Sequence, residues 1–524
     1  MFKRLICLFL VLCFVGLALV GCSKKQGEGT EGEGAGENGG NAGTQQPTNE
    51  YGELSFTTAV PVDDLDFEEA ELVILLRNNI QNSREWYKET IEDELDEAIA
   101  MRNEAVEDAL NVKMDFEWLP SDHGPYINSL NEMIRNDVLS DLHYYDIGSN
   151  FSYYCASSVI RDFAANLLDT SQFPYFNFEV PCWNQAIVED TTFNERLHYV
   201  AGDINISMFD AAIVIWHNKT LYDAKKDSTD PENMQQLALD GNWTYEELYG
   251  WATKFQENVN GIEGKQPDDN YGFGTFGLNP CPADALPYAW DLDFVIENDD
   301  QTHTFNIENN KKGDEALTKF KNLLAANGSV TSIPGNQANV KHFAAGHYVF
   351  FTDRIYWSYD QNMAIREMND KYGLLPLPKY DTDQENYGTT SQDYYNLLMI
   401  IDHEESTEPT KGDAISAFLQ LATEESYTGV RGYYFNRIIK PKFFGTDDSE
   451  GTVTKSQALF DIIIENIEFD YMTVYSPQLA DVNHLWRNAC YSNDSLSARY
   501  SEQREKYENA IKETDIWLGL RDAE

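Results

Sequence analysis

Cysteine is scarce where it would carry chemistry. Seven occur in 524 residues, and the four beyond the N-terminal region (Cys155, Cys182, Cys281, Cys490) are widely spaced with no CxxC pair. Zinc sites and thioredoxin chemistry are therefore unsupported, and one or two disulfides are the most the body could hold. The nine histidines form no HExxH, and neither GxSxG nor a P-loop occurs. Positive charge is also short: 38 Lys and Arg stand against 88 Asp and Glu, a net charge of −50. Such a field repels nucleic acid and anionic lipid and disfavours anionic ligands, which leaves neutral or cationic ones. Asp381-Thr382-Asp383 opens like a calcium loop, but its sixth position is Asn386 and its twelfth Gln392, so an acidic loop is expected and no metal or cofactor. Gly272 to Gly277 (GFGTFG) matches GxGxxG. Its approach, QPDDNY, carries no strand signal and LNPCP behind it no helix signal, so a loop is expected there too.

What is present begins with an address. Lys3 and Arg4 precede an apolar run from Leu5 to Val20, the pattern of a secretory signal peptide rather than of a membrane span, which needs about 20 apolar residues. Leu19-Val20-Gly21-Cys22 resembles a bacterial lipobox, which makes Cys22 the expected lipidation site, with a signal peptide over 1–21. Two acyl chains at ~0.8 kcal/mol per buried CH₂ would hold stably. Residues 22–50 continue as Gly, Glu, Asn, Gln and Thr with hardly an apolar side chain, too little to offset the entropy of ordering. As a flexible coil they would reach roughly 30 Å. The expected location is the extracellular face of the cell membrane, held by lipid alone.

The remaining body is long enough for two or three domains. Residues 71–77 read as a buried strand, the segment from Glu92 to Leu110 as a helix with an acidic first turn, 112–118 as a strand, 127–136 as a helix and 145–147 as a third strand, followed by the polar loop GSNFSYY. Strand and helix alternating in this way predict an α/β layer with parallel strands, and ligands beyond their carboxyl ends, at the loops starting at Arg77 and Gly148. The alternation resumes at 211–216. Thr244-Tyr245-Glu246-Glu247 reads as a capping box, and Asn327-Gly328 as a helix C-cap. Strands are expected at 347–352 and 396–401, and helices at 413–424, 457–467 and 498–515. Lobe 1 is expected to take 51–205 and 390–450, lobe 2 206–389 and 451–524.

The stretches HYVAGDINISMFDAAIVIWHNKTLYD and LALDGNWTYEELYGWATKF, with PCWNQ at 181–185 and YGLLPLPKYDTDQENY at 372–387, resemble bacterial extracellular solute-binding proteins of the sugar-binding kind, the maltose-binding class of ABC importer receptors. The resemblance implies an α/β fold of two lobes (type II), each a mixed sheet flanked by helices, joined by hinge crossovers and closing on ligand. It implies a monomer without enzymatic activity that captures a neutral sugar or oligosaccharide and hands it to ABC permease subunits. ALPYAWDLDF, DRIYWSYD and VNHLWRNACY resemble ligand-contacting segments of that class, although the second lacks the class's Gly-Pro. They offer Tyr288 and Trp290, then Arg354, Tyr356 and Trp357, then Trp486. A sugar needs polar groups for its hydroxyls and flat rings for its C–H face, and on that ground Arg77, Asn78, Asn150, Tyr153 and Trp183 are added from lobe 1. Three alternatives stay open: a binding protein for a peptide or cationic solute, a surface glycoside hydrolase, and a surface glycan adhesin. Chance supplies carboxylate pairs among so many acids, so the hydrolase has no positive signal.

Overall fold

Asp93 opens the first long helix, its carboxylate accepting from the Leu95 and Asp96 amides, and Asn111 closes that helix, Glu94–Leu110, in the left-handed conformation. Leu95, Ile99, Val106 and Leu110 are buried, the apolar stripe of a helix that covers a sheet. The structure, a computed structural model, describes residues 56–77, 84–86, 90–91, 93–119, 129–156, 163–266, 268–275, 280–331, 338–358, 365–392, 395–402, 409–438, 455–469 and 471–522. The expected leader, Cys22, the tether and Asn78 lie outside these residues.

Strands follow in the order β1 (Ala70–Leu76), β2 (Val112–Trp118), β3 (Ile147–Phe151), β4 (Ile213–Asn218), β5 (Gln256–Glu257), β6 (Asn270–Thr275), β7 (Val295–Glu297), β8 (His303–Phe305), β9 (Ser329–Thr331), β10 (Tyr348–Arg354), β11 (Tyr372–Leu375), β12 (Thr389–Thr390), β13 (Asn396–Ile400) and β14 (Ile467–Glu468). The first sheet is ordered β13-β3-β1-β2 and the second β11-β4-β10-β6-β5, with β9 on β6. β1 runs parallel to β2 and β3, and β13 returns antiparallel to β3. In the second sheet β10 is parallel to β6 and antiparallel to β4. Each sheet is flanked by helices. Helix Pro409–Glu425 packs on β1 and on Glu94–Leu110, whereas Lys455–Glu465 packs on β11.

Two segments join the sheets and run side by side. Val200 bridges Leu398 and Ala212 bridges Ser391, and between them the Asn396 amide donates to Ser207 Oγ at 3.0 Å. These outgoing and returning segments form the hinge region of the fold. Among the described residues no helix is long and apolar enough to cross a membrane, and no cluster of His, Cys, Asp and Glu could hold a metal ion. Cys155, Cys182 and Cys490 are buried free thiols.

Four local expectations are corrected. The third strand is not 145–147 but Ile147–Phe151, so the segment read as a polar loop is strand and then a helical turn, Ser152–Cys155. Its polar side chains are tolerated because they are bonded: Trp86 Nε1 donates to Ser149 Oγ at 3.3 Å, and Asn150 has partners described below. Gly272 to Thr275 of the GxGxxG run are also not a loop. Asn270–Thr275 is strand β6, and a helix follows at Pro280–Ala289. Glycine is there for close packing: a Cβ on Gly272 would fall 2.1 Å from the Trp251 carbonyl oxygen, and one on Gly274 2.3 Å from the Tyr348 ring. Gly272→Ala is therefore expected to cost about 1–3 kcal/mol as overpacking, read as a shift of the urea midpoint at unchanged slope; no shift would refute this packing role. Thr244 starts helix Tyr245–Lys254 without a side-chain capping bond; the Tyr245 amide instead donates to the Lys379 carbonyl at 2.8 Å. Helix Lys311–Ala325 likewise ends without a left-handed Gly328, which lies against the Phe255 carbonyl oxygen.

Candidate functional site

β1 ends at Leu76, and the next residue, Arg77, turns its guanidinium over the Phe151 ring at 4.1 Å. Its Nη1 donates to Asn150 Oδ1 at 3.0 Å, and Asn150 Nδ2 donates onward to Asn131 Oδ1 at 2.8 Å. Two of the residues expected from lobe 1 are thus bonded to each other at the carboxyl ends of neighbouring parallel strands, where α/β folds place ligands. Both are buried. Tyr153 follows on the helical turn, and its hydroxyl donates to Asp481 Oδ1 at 2.7 Å, so it reaches the C-terminal segment that precedes helix Asn483–Cys490.

The second sheet contributes at the start of β4 and the end of β10, where Ile213 pairs with Arg354. The Arg354 guanidinium lies 5.0 Å from the Trp357 ring centre, and Tyr356 stands edge-on to Trp357 at 5.1 Å. These three expected residues are together. Burial raises the neighbouring Asp353 carboxyl, while the Arg354 charge and amide oppose that rise. The Ile355 amide donates to the Ala212 carbonyl at 3.0 Å, which seats the group against the outgoing crossing.

Ile213 also lines a pocket with Asp284, Tyr288, Thr390, Ser391, Gln392, Met472, Thr473 and Asn483. Asp284 and Tyr288 lie four apart on helix Pro280–Ala289 and so share a face. The Asp284 carboxylate takes a fork from Arg487, Nε to Oδ1 at 3.1 Å and Nη2 to Oδ2 at 2.5 Å, and the Tyr288 hydroxyl accepts from Thr473 Oγ1 at 2.5 Å. The pocket volume is about 30 Å³, room for little more than a water, against ~300 Å³ at the small end of ligand sites. At that volume a molecule of ordinary ligand size fits only if the walls part.

Three expected rings lie elsewhere. Trp183 is 1% exposed and packs on Phe178 and Phe176 at 5.4 and 6.0 Å, with Nε1 donating to Gln420 Oε1 at 2.9 Å. Trp290 is fully buried between Tyr245 and Tyr380 and donates to the Pro378 carbonyl. Trp486 is 1% exposed and packs against Phe294. Asp284, Gln392, Thr473, Asn483 and Arg487 were not singled out from sequence. Only the four-residue spacing of Asp284 and Tyr288 and the adjacency of Arg487 to Trp486 could have signalled them.

No family model and no curated relative matches the chain. Solved structures do. The sugar-binding protein MalE from the phytopathogen Xanthomonas citri superposes with a TM-score of 0.54 at 12% identity, over 87% of this chain and all of that one. An ABC transporter solute-binding protein from Thermotoga lettingae TMO, bound with alpha-D-tagatose, superposes with a TM-score of 0.50 at 12% identity, over 85% of this chain and all of that one. With two mixed sheets, paired crossings and a pocket beside the hinge, the chain has the two-lobed type II fold of the solute-binding proteins.

Proposed function

We propose that this protein is a receptor for a neutral sugar or oligosaccharide, held by lipid on Cys22 at the outer face of the cell membrane and serving an ABC importer. The observation that carries the reading is a pocket lined by the Tyr288 ring and hydrogen-bonding side chains beside the hinge of a fold shared with a sugar-binding protein and a tagatose-bound one. The lobes divide at 205/206, 389/390 and 450/451. Ligand touches both lobes only when they are closed, so its differential affinity drives closure. Arg77 and Asn150 on one side, Arg354, Tyr356, Trp357 and Tyr288 on the other are the residues assigned to contact it; no chemical step is required of them.

The test is a thermal-shift screen of residues 51–524 against neutral mono- and oligosaccharides, with peptides and polyamines alongside. A true ligand at a hundredfold excess over Kd should add about 2.7 kcal/mol of stability and be recovered intact. Stabilisation by amines or peptides and by no sugar would overturn the sugar assignment, and cleaved product would overturn the receptor assignment.

A further inference from the structure

The helical turn Ser152–Cys155 continues β3 of the first sheet and packs against Tyr471–Val474, the segment that supplies Met472 and Thr473 to the pocket. The first sheet's side fixes its place: Asn131 Nδ2 donates to the Tyr154 carbonyl at 3.0 Å, and the Arg77 guanidinium lies 5.6 Å from the Tyr154 ring centre. From this turn the Tyr153 hydroxyl reaches Asp481 Oδ1 at 2.7 Å. Asp481 belongs with the other sheet. Two residues on begins helix Asn483–Cys490, which packs on helix Pro280–Ala289, and that helix packs on β4 and β10. The bond therefore spans from one sheet's layer to the other's, beside the pocket that Asn483 lines.

We propose that the Tyr153–Asp481 hydrogen bond is a clasp across the cleft, which holds the two lobes on each other without a ligand and which a ligand must unfasten to enter. The proposal rests on the two-lobed reading and not on the identity of the ligand. Donor and acceptor are both the protein's own, and a phenol donating to a carboxylate is of the charge-assisted kind, roughly twice as strong as a neutral pair. Both side chains are half-buried, so water competes for them only in part. The backbone under Asp481 is strained to present it. Ala480 and Asp481 have φ of 59° and 58°, a left-handed pair without a glycine, and such residues persist where their surroundings hold them. The surroundings here do so: the Asp481 amide donates to the Ser476 carbonyl at 2.9 Å, Ser476 Oγ donates to Asn483 Oδ1 at 2.5 Å, and Lys506 Nζ donates to the Ala480 carbonyl at 3.2 Å. The same tied turn thus aims the clasp and sets Asn483 in the pocket wall. A ligand then meets a cleft whose open form is the minor one, and opening precedes capture.

Small-angle X-ray scattering of the whole protein, with no solute added, reads the separation of the lobes. Tyr153→Phe removes one oxygen atom and should raise the ratio of open to closed molecules about tenfold, the scale of a hydrogen bond to a charged group, and so enlarge the radius of gyration. Asp481→Gly removes the carboxylate and suits the left-handed backbone. It should enlarge the radius as far, and the double variant no further, because both changes break one bond. Tyr144→Phe is the control: its hydroxyl donates to Glu117 at 2.9 Å, a tyrosine–carboxylate bond within the first lobe, and its loss should leave the dimensions alone. A wild type as extended as Tyr153→Phe, a double variant more open than either single one, or equal expansion in Tyr144→Phe overturns the proposal. Should Asp481→Gly fail to fold, the wild type against Tyr153→Phe decides. Since no sugar is present, a failed sugar screen leaves the clasp standing, and a missing clasp leaves the sugar assignment standing.

Discussion

Replacing Trp183 with alanine should lower the unfolding free energy by about 3–5 kcal/mol, the usual cost of emptying a large aromatic site in a core. The ring is enclosed by Phe176 and Phe178 and tied by its indole N–H to Gln420 on helix Pro409–Glu425. A Cβ on Gly202 would already approach it to 3.0 Å, so nothing nearby is loose enough to fill the gap. Truncation also strips the indole donor from the buried Gln420 oxygen, which still accepts from the Asn177 amide. Urea denaturation reads the loss directly. Sugar affinity per folded molecule should be unaltered. Weakened binding at unchanged stability would return Trp183 to the site and contradict this placement.

The second large effect is a pH dependence. Asp203 is buried on the outgoing crossing, and burial raises its carboxyl from 3.8 to about 7, with Arg431 opposing and Glu465 adding to the rise. A raised carboxyl contributes stability that is fully present below its unfolded value and is lost as pH climbs through the folded one. Measured against Asp203→Asn, the wild type should therefore lose about 4 kcal/mol of relative unfolding free energy between pH 3.8 and the range above 7. The comparison with the variant matters because 88 acidic residues add a general repulsion with the same sign. Two denaturation series, one per protein, give the difference. A constant gap across the range would show that Asp203 stays ionised in the folded state, held by Arg431 at 3.6 Å.

Elements whose signals are local could be read from the chain. Helix Glu94–Leu110 announces itself by an acidic start and helical apolar spacing, and strand β2 was read at the bounds it has. Strand β3 was misread because its middle is Gly-Ser-Asn, residues that leave a sheet unless buried partners hold them, and those partners, Trp86, Arg77 and Asn131, sit elsewhere in the sequence. Strand β6 was hidden in the same way: glycines that weaken a strand in isolation are required by the Trp251 backbone and the Tyr348 ring. The candidate site divides along this line. Arg77 and Asn150 followed from the rule that strand ends face ligands, and the DRIYWSYD group from resemblance. Whether a tryptophan stacks in a core or faces a cleft depends on tertiary neighbours alone, so Trp183, Trp290 and Trp486 could not be sorted from sequence.

The strand order of the first sheet also sets the order of events in synthesis. β3 is hydrogen-bonded on one side to β1 and on the other to β13, and β13 is translated roughly 250 residues after β3. At ~5–20 residues per second the outer edge of β3 waits roughly 12–50 s for its partner. Throughout that interval its unmatched amides and carbonyls are a template for any passing extended chain, while the whole second sheet is made. The first lobe cannot be completed as an N-terminal fragment. Its closing strand arrives only after the second sheet has been synthesised, which ties the final locking of one lobe to the presence of the other.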